Sequence, residues 1–223
     1  MGERIVVITG ATGKLGPAVA GAFAAAGDRL ALLARSEARA VEIAGGLPGG
    51  ASRHIALGVD LRTDASDVAA AIRRRLGPPT VLLHLVGGYA GGFVIAETDP
   101  AQVQALIDVN LWTTFYAIRA FVADIRAAQD GRIITVSTPL TVNPVTGVAA
   151  YVATKAAVES MTLSVAREFT GTSATANVVQ IRTIGDAKPS YVRPAEIAAA
   201  LYLLAEPASG AINGQRIPLV GRG

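Results

Sequence analysis

Short apolar segments alternate with longer alanine-rich or amphipathic ones from end to end of this chain, and that alternation constrains its fold more than any other feature. Arg4–Thr9 (RIVVIT) is apolar at consecutive positions and bounded by glycine, the pattern of a strand buried on both faces. Comparable strands are expected at Leu30–Ala34, His54–Val59, Val81–Val86, Arg132–Ser137, Ala176–Ile181 and Gln215–Leu219. One helix should end at Ala26, before Gly27-Asp28, and others should fill roughly 37–45, 64–76, 100–128, 150–170 and 194–205. Thr98-Asp99-Pro100 supplies a capping residue and a first-turn proline for the longest of them. Repeated strand–helix–strand units predict an α/β fold, a doubly wound parallel sheet covered by helices on both faces. No repeat, low-complexity linker or boundary interrupts residues 1–223, so a single domain is expected. In such sheets ligands bind beyond the carboxyl ends of the strands, near the point where strand order reverses.

Composition removes several function classes. With 51% hydrophobic and 17% charged residues the chain is not disordered, and a formal charge of +3 is too small to argue for nucleic acid. The dense basic run Arg73-Arg74-Arg75 ends a predicted helix, where positive charge suits the dipole. There is no Cys and there are only two His, so disulfides, thiolate zinc sites and a Cys nucleophile are excluded, and no metal is expected. No apolar run reaches the ~18 residues that span a bilayer and the start lacks a secretory pattern, so the expectation is a soluble, cytoplasmic protein.

Thr9-Gly10-Ala11-Thr12-Gly13-Lys14-Leu15-Gly16 follows the first strand and opens a helix. Glycines there allow a tight turn and close approach to a pyrophosphate, whose charge rests on the helix N-terminus. A glycine turn used only for packing is the alternative. A P-loop fails, because Ile8 stands at its first glycine position and Leu15 follows Lys14. After the second strand comes Ala34-Arg35-Ser36, with no carboxylate to hold a ribose 2′-hydroxyl. Arg35, with Lys14 nearby, would attract a 2′-phosphate, which favours NADP(H) over NAD(H); a solvated loop arginine is the rival account. Asp60, ending the third strand, could accept from an adenine amino group or cap the next helix.

Tyr151 and Lys155 stand at i and i+4 on one predicted helix face. A free phenol titrates near 10 and moves protons poorly at neutral pH, whereas an adjacent ammonium would acidify it. Only Lys14, Lys155 and Lys188 are lysines, so the pairing arises by chance roughly seven times in a hundred.

Over essentially its whole length the chain resembles the short-chain dehydrogenases/reductases. The resemblance rests on Thr9–Gly16, Asp60, Gly87-Gly88, Asn110 in DVNLWTTF, Ser137-Thr138, Tyr151/Lys155, and the closing segments Arg193–Ala205 and Asn213–Gly221. It implies a Rossmann-type sheet of seven strands, nicotinamide cofactor binding, and hydride transfer between the cofactor and a carbonyl or alcohol carbon. By this resemblance Tyr151 exchanges the proton, Lys155 lowers its pKa and holds a ribose, and Asn110 holds a water linking Lys155 to solvent. An Asn bonded to its own helix backbone is the plainer reading. The cofactor would be held by Thr9, Gly10, Thr12, Gly13, Lys14, Leu15, Gly16, Arg35, Asp60, Leu61, Val86, Gly87, Thr183 and Ile184, with Tyr151 and Lys155. A homodimer or homotetramer is implied, acting on a small-molecule carbonyl or alcohol, with no nucleic acid or membrane partner.

Three departures stand out. The family's carbonyl-orienting serine, thirteen residues before the tyrosine, is Thr138 here, with Ser137 beside it. Thr138 carries an equivalent hydroxyl on a stiffer side chain and is the better candidate on spacing. His84 takes the place of an asparagine and should make a buried bond between strands; a hydrolase built on Ser137 and His84 fails for want of a G-x-S-x-G elbow. The Pro-Gly pair after the sixth strand is missing, and only a short stretch separates Arg182 from Pro194, leaving an open pocket. Arg182 could meet an anionic substrate group, with a surface ion pair as the plainer account. These departures leave a second class open, a non-catalytic NAD(P)-binding sensor or assembly subunit, and a third, non-redox chemistry around a retained cofactor.

Overall fold

The computed structural model describes residues 3–222. Strands and helices alternate as β1 (Ile5–Thr9), α1 (Gly16–Ala25), β2 (Arg29–Ala34), α2 (Glu37–Gly45), the short α3 (Gly50–Arg53), β3 (Ile55–Gly58), α4 (Leu61–Arg75) and β4 (Val81–His84). They continue as α5 (Pro100–Leu106), α6 (Thr113–Ala127), β5 (Arg132–Ser137), α7 (Ala149–Glu168), β6 (Thr175–Ile181), α8 (Pro194–Ala205) and β7 (Arg216–Leu219). The seven strands form one sheet in the order β3-β2-β1-β4-β5-β6-β7, every pair parallel. Strand order reverses between β1 and β4, where Thr9 is level with His84, and this fixes the crevice.

Period-two alternation explains why the strands read as continuous apolar runs. Val6 and Ile8 join Phe23, Leu32 and Leu201 in the core beneath α1 and α8. Val7 and Leu33 join Ile72, Leu82 and Phe121 beneath α4 and α6 on the other face. Both faces are buried, so no position in β1 can be polar without a partner; Thr9, its one polar residue, bonds His84.

Three expectations need correction. The helix expected over 100–128 is interrupted: residues Ile107–Trp112 bond as a π-helix between α5 and α6. Thr113 and Thr114 there donate to the Val109 and Asn110 carbonyls at 2.7 and 2.6 Å, serving acceptors that wide bonding leaves exposed. The fourth strand stops at His84, because the chain turns away to meet this π-helix. The helix placed near Asp64 begins at Leu61, capped by Asp60. Among the described residues no helix is long and apolar enough to cross a membrane.

Candidate active site

A cleft of about 780 Å³ opens over the carboxyl ends of β1, β2, β3 and β4. The glycine turn forms its floor. Gly10 holds φ +70°, and a Cβ there would lie 3.0 Å from the Val86 nitrogen, so only glycine lets the turn after β1 pack on the one after β4. The first turn of α1 has no side-chain cap; Gly16 N and Val19 N bond the Gly13 and Leu15 carbonyls and Pro17 carries no N–H, which leaves the Ala18 N–H for an anion.

Of the residues expected to hold a cofactor, Gly10, Thr12, Gly13, Arg35, Asp60, Leu61, Val86 and Gly87 line this cleft. Thr9 does not; its hydroxyl is bonded to His84 Nδ1 at 2.9 Å. Leu15 and Gly16 are buried, Leu15 within the apolar core, and Lys14 is exposed to solvent outside the lining. Thr183 and Ile184 fold into a small loop closed by Val192 N to the Thr183 carbonyl at 3.0 Å and also stand apart from the cleft. Arg62, which belongs to no motif, and Asp108, which opens the DVNLWTTF motif but was not expected at the cleft, also line it. Arg62 spans the opening, 3.0 Å from Asp60 and 3.3 Å from Asp108. The Arg62 side chain and backbone N–H hold the Asp60 carboxyl below its usual range, with Arg35 adding to the effect. Asp60 is therefore a helix cap, and Arg62 occupies both its oxygens.

The catalytic candidates gather where β4, β5 and α7 meet. Lys155 is buried and its Nζ donates to the Val136 carbonyl at 3.1 Å. A Cβ on Gly87 would fall 2.7 Å from that Nζ, so the missing side chain lets the cleft lining reach the ammonium. Burial lowers the Lys155 pKa to about 8, against which Glu159 pulls it up. Tyr151 lies one turn earlier on α7 and packs edge-on against Tyr89. Burial raises its phenol above the ordinary value, the Thr138 side chain pulls it down by hydrogen bonding, and Tyr89 pushes it up. The Lys155 ammonium is turned onto the β5 backbone, and burial is the largest influence on the phenol.

Thr138 is buried and its oxygen accepts from Leu140 N at 3.4 Å, capping the turn Pro139–Thr141. The neighbouring Ser137 hydroxyl instead donates to Glu159 at 2.7 Å. Asn110 is fully buried. Its Oδ1 accepts from Gly88 N at 2.9 Å, and its Nδ2 donates to the Gly88 carbonyl and Thr154 at 3.1 and 3.0 Å. The side chain thus clamps the turn after β4 to α7 and does not bond its own helix. His84 makes the expected bond between β4 and β1, and burial followed by the Lys155 charge drives its pKa to about 3, so it stays neutral. Among the described residues no group of three or more His, Asp and Glu is placed to hold a metal.

Glu159 and Tyr89 were not expected from the sequence. Glu159 had a signal, standing four residues after Lys155 on the same face. Tyr89, in a glycine-rich loop, had none.

Residues 4–187 match the family model described as short chain dehydrogenase. A 2,3-dihydroxy-2,3-dihydro-p-cumate dehydrogenase of Pseudomonas putida is 34% identical over 117 residues, 52% of this chain and 44% of that protein. The chain thus spans about half the length of that curated relative. An uncharacterized oxidoreductase of Staphylococcus saprophyticus is 26% identical, with 95% of both chains aligned. The crystal structure of a Burkholderia thailandensis oxidoreductase, of the short chain dehydrogenase/reductase family, superposes with a TM-score of 0.86 at 30% identity, covering 98% of this chain and 91% of that one.

Proposed function

This chain belongs to the short-chain dehydrogenase family, and on that premise we propose that it exchanges a hydride between NADP(H), less readily NAD(H), and a carbonyl or secondary alcohol. The single observation carrying this reading is the junction at Gly87, which lines the cleft on one side and abuts the Lys155 ammonium on the other. The cleft fits a dinucleotide: a side-chain-free turn at Gly10, an uncapped helix N-terminus for a pyrophosphate, and Arg35 at the rim for a 2′-phosphate. When bound, the nicotinamide supplies or accepts the hydride. The protein's share is the proton, the orientation and the charge.

In this reading Tyr151 holds the proton on its phenol oxygen and passes it to the substrate oxygen during reduction. Burial holds the phenol in its protonated form, the form from which a proton is given, and makes it a weaker acid than a free phenol. Thr138 orients the same substrate oxygen with its hydroxyl. Lys155 places a positive charge beside Gly87 of the cleft lining, where it would meet the cofactor ribose. Asn110 keeps Gly87-Gly88 seated against α7.

Exposed apolar side chains on the segment that brings Tyr89 to Tyr151, and on the one joined to it, support a substrate with apolar surface. Tyr89, Phe93, Val94 and Ile95 are exposed, as are Val142 and Val145, and their two segments are joined by Gly92 N to the Gly147 carbonyl at 2.8 Å. That the Pseudomonas putida relative is named for a dihydroxylated dihydro-p-cumate supports a ring in the substrate, one that there carries polar groups. We take residues 1–223 as one dinucleotide-binding domain, acting as a cytoplasmic homodimer or homotetramer; the aromatic group Trp112, Phe115 and Tyr116, with Trp112 41% exposed, supports contact between copies. Incubation with NADPH and a panel of apolar ketones tests the reading: oxidation of NADPH that depends on Tyr151 is expected, and cofactor binding without turnover on any ketone counts against it.

A further inference from the structure

Glu159 is a buried carboxylate that the proposed mechanism leaves unused. It lies one helical turn beyond Lys155 and two beyond Tyr151, and its side chain is 2% exposed. Its Oε1 accepts from Ser137 Oγ at 2.7 Å and Gln180 Nε2 at 2.9 Å, and stands 2.8 Å from Thr141 Oγ1. Its Oε2 accepts from Arg216 Nε at 2.6 Å. Burial pushes the carboxyl up, but the bonds from Gln180, Ser137, Arg216 and Thr141 outweigh it and keep the group ionised.

Burying a carboxylate is an expensive way to hold strands together, even with Arg216 reaching it from the surface. What sets this carboxylate apart is where its donors lie. Ser137 immediately precedes Thr138, and Thr141 closes the turn that begins there. The Thr141 hydroxyl also stands 2.9 Å from the Thr138 carbonyl, so it shares its proton between that oxygen and Glu159, and it accepts from Gln180 at 3.1 Å. The turn presenting Thr138 is thereby tied on both sides to the helix that carries Tyr151, with Gln180 of β6 and Arg216 of β7 as anchors.

We propose that Glu159 is a positioning residue for the reaction: through Ser137 and Thr141 it fixes the turn that sets the Thr138 hydroxyl against the Tyr151 phenol. The inference rests on the redox reading above for its catalytic consequence, while the clamp itself is a property of the folded chain. Sub-ångström placement governs such steps, and a loosened orienting group commonly costs far more in turnover than in binding.

The test is a double-mutant cycle with NADPH and an apolar ketone. Glu159→Gln should lower kcat about 10- to 100-fold with NADPH affinity unchanged. In a Thr138→Val background, which has already lost the hydroxyl, the same change should cost little more. Losses that multiply across the two sites, or an unaffected kcat, overturn the proposal. Thr141→Val, a neutral change of similar shape, takes the place of Glu159→Gln in the cycle if the latter does not fold. A wild type without turnover would defeat the redox reading and leave the clamp to a second readout. The Tyr151 ring, assigned among five tyrosines by Tyr151→Phe, is titrated by carbon NMR. Thr141→Val should raise its pKa as the Thr138 bond weakens, and an unmoved titration overturns the clamp.

Discussion

The ring of Tyr89 meets that of Tyr151 edge to face, with centroids 5.0 Å apart and planes at 72°. Tyr89 is itself 68% exposed, so the Tyr151 ring is shielded on one side by a ring that faces solvent. Tyr89→Ala would uncover the phenol, and burial is the main cause of its raised pKa. The Tyr151 titration should therefore move down toward 10.0. KM for apolar ketones should rise about 3- to 10-fold, the value of one aromatic contact. An NMR titration of the ring and steady-state kinetics read the two effects separately.

Arg35→Asp tests cofactor choice. A charge-assisted contact to a 2′-phosphate is worth about 1.5–3 kcal/mol, so NADPH affinity should fall about 10- to 100-fold while NADH affinity holds or improves. Fluorescence titration with the two cofactors distinguishes this from a general loss of binding, in which both would weaken alike.

Lys155 gives a pH dependence of defined sign. Its pKa falls from 10.5 in the unfolded chain to about 8 in the fold. Between those values the unfolded chain binds the extra proton, so stability rises with pH across that window and the burial penalty is fully present below about 8. Urea unfolding of the wild type should show this rise relative to Lys155→Met, which lacks the group. Equal slopes for the two proteins would mean the ammonium is better solvated than its surroundings allow.

Gly87→Ala places a Cβ 2.7 Å from Lys155 Nζ and 3.2 Å from Asn110 Oδ1. Lys155 or the turn must shift by several tenths of an ångström. Turnover should drop about tenfold or more, with a modest loss of thermal stability. A melting curve measured beside the kinetics separates local displacement from unfolding.

The order of strands and helices was legible because β1, β2 and β4 are buried on both faces and read as largely apolar runs, although β5 and β6 carry polar residues among their apolar ones. Tyr151 and Lys155 were legible because helical spacing alone puts them on one face. Their electrostatic relation was not. Spacing says nothing of where a long side chain turns, and Lys155 turns to Val136, so burial governs the Tyr151 pKa. Asn110 was found by its place, but its partner Gly88 lies 22 residues away and only the folded chain reveals the clamp. Glu159 draws donors from 21 and 57 residues along the chain, a distance no local pattern records. The glycine turn was found whole, yet Leu15 and Gly16 serve its packing and the cleft wall includes Arg62, which no motif marks.

The central claim is that the Tyr151 phenol delivers a proton during NADPH-dependent carbonyl reduction. The most direct measurement compares NADPH binding and single-turnover NADPH oxidation in wild type and Tyr151→Phe with the same apolar ketone. Equal affinities and a rate about 10²- to 10⁴-fold lower in the variant are predicted. An undiminished rate in Tyr151→Phe, or a wild type that binds NADPH and oxidises none, would contradict the account and make the chain a cofactor-binding sensor.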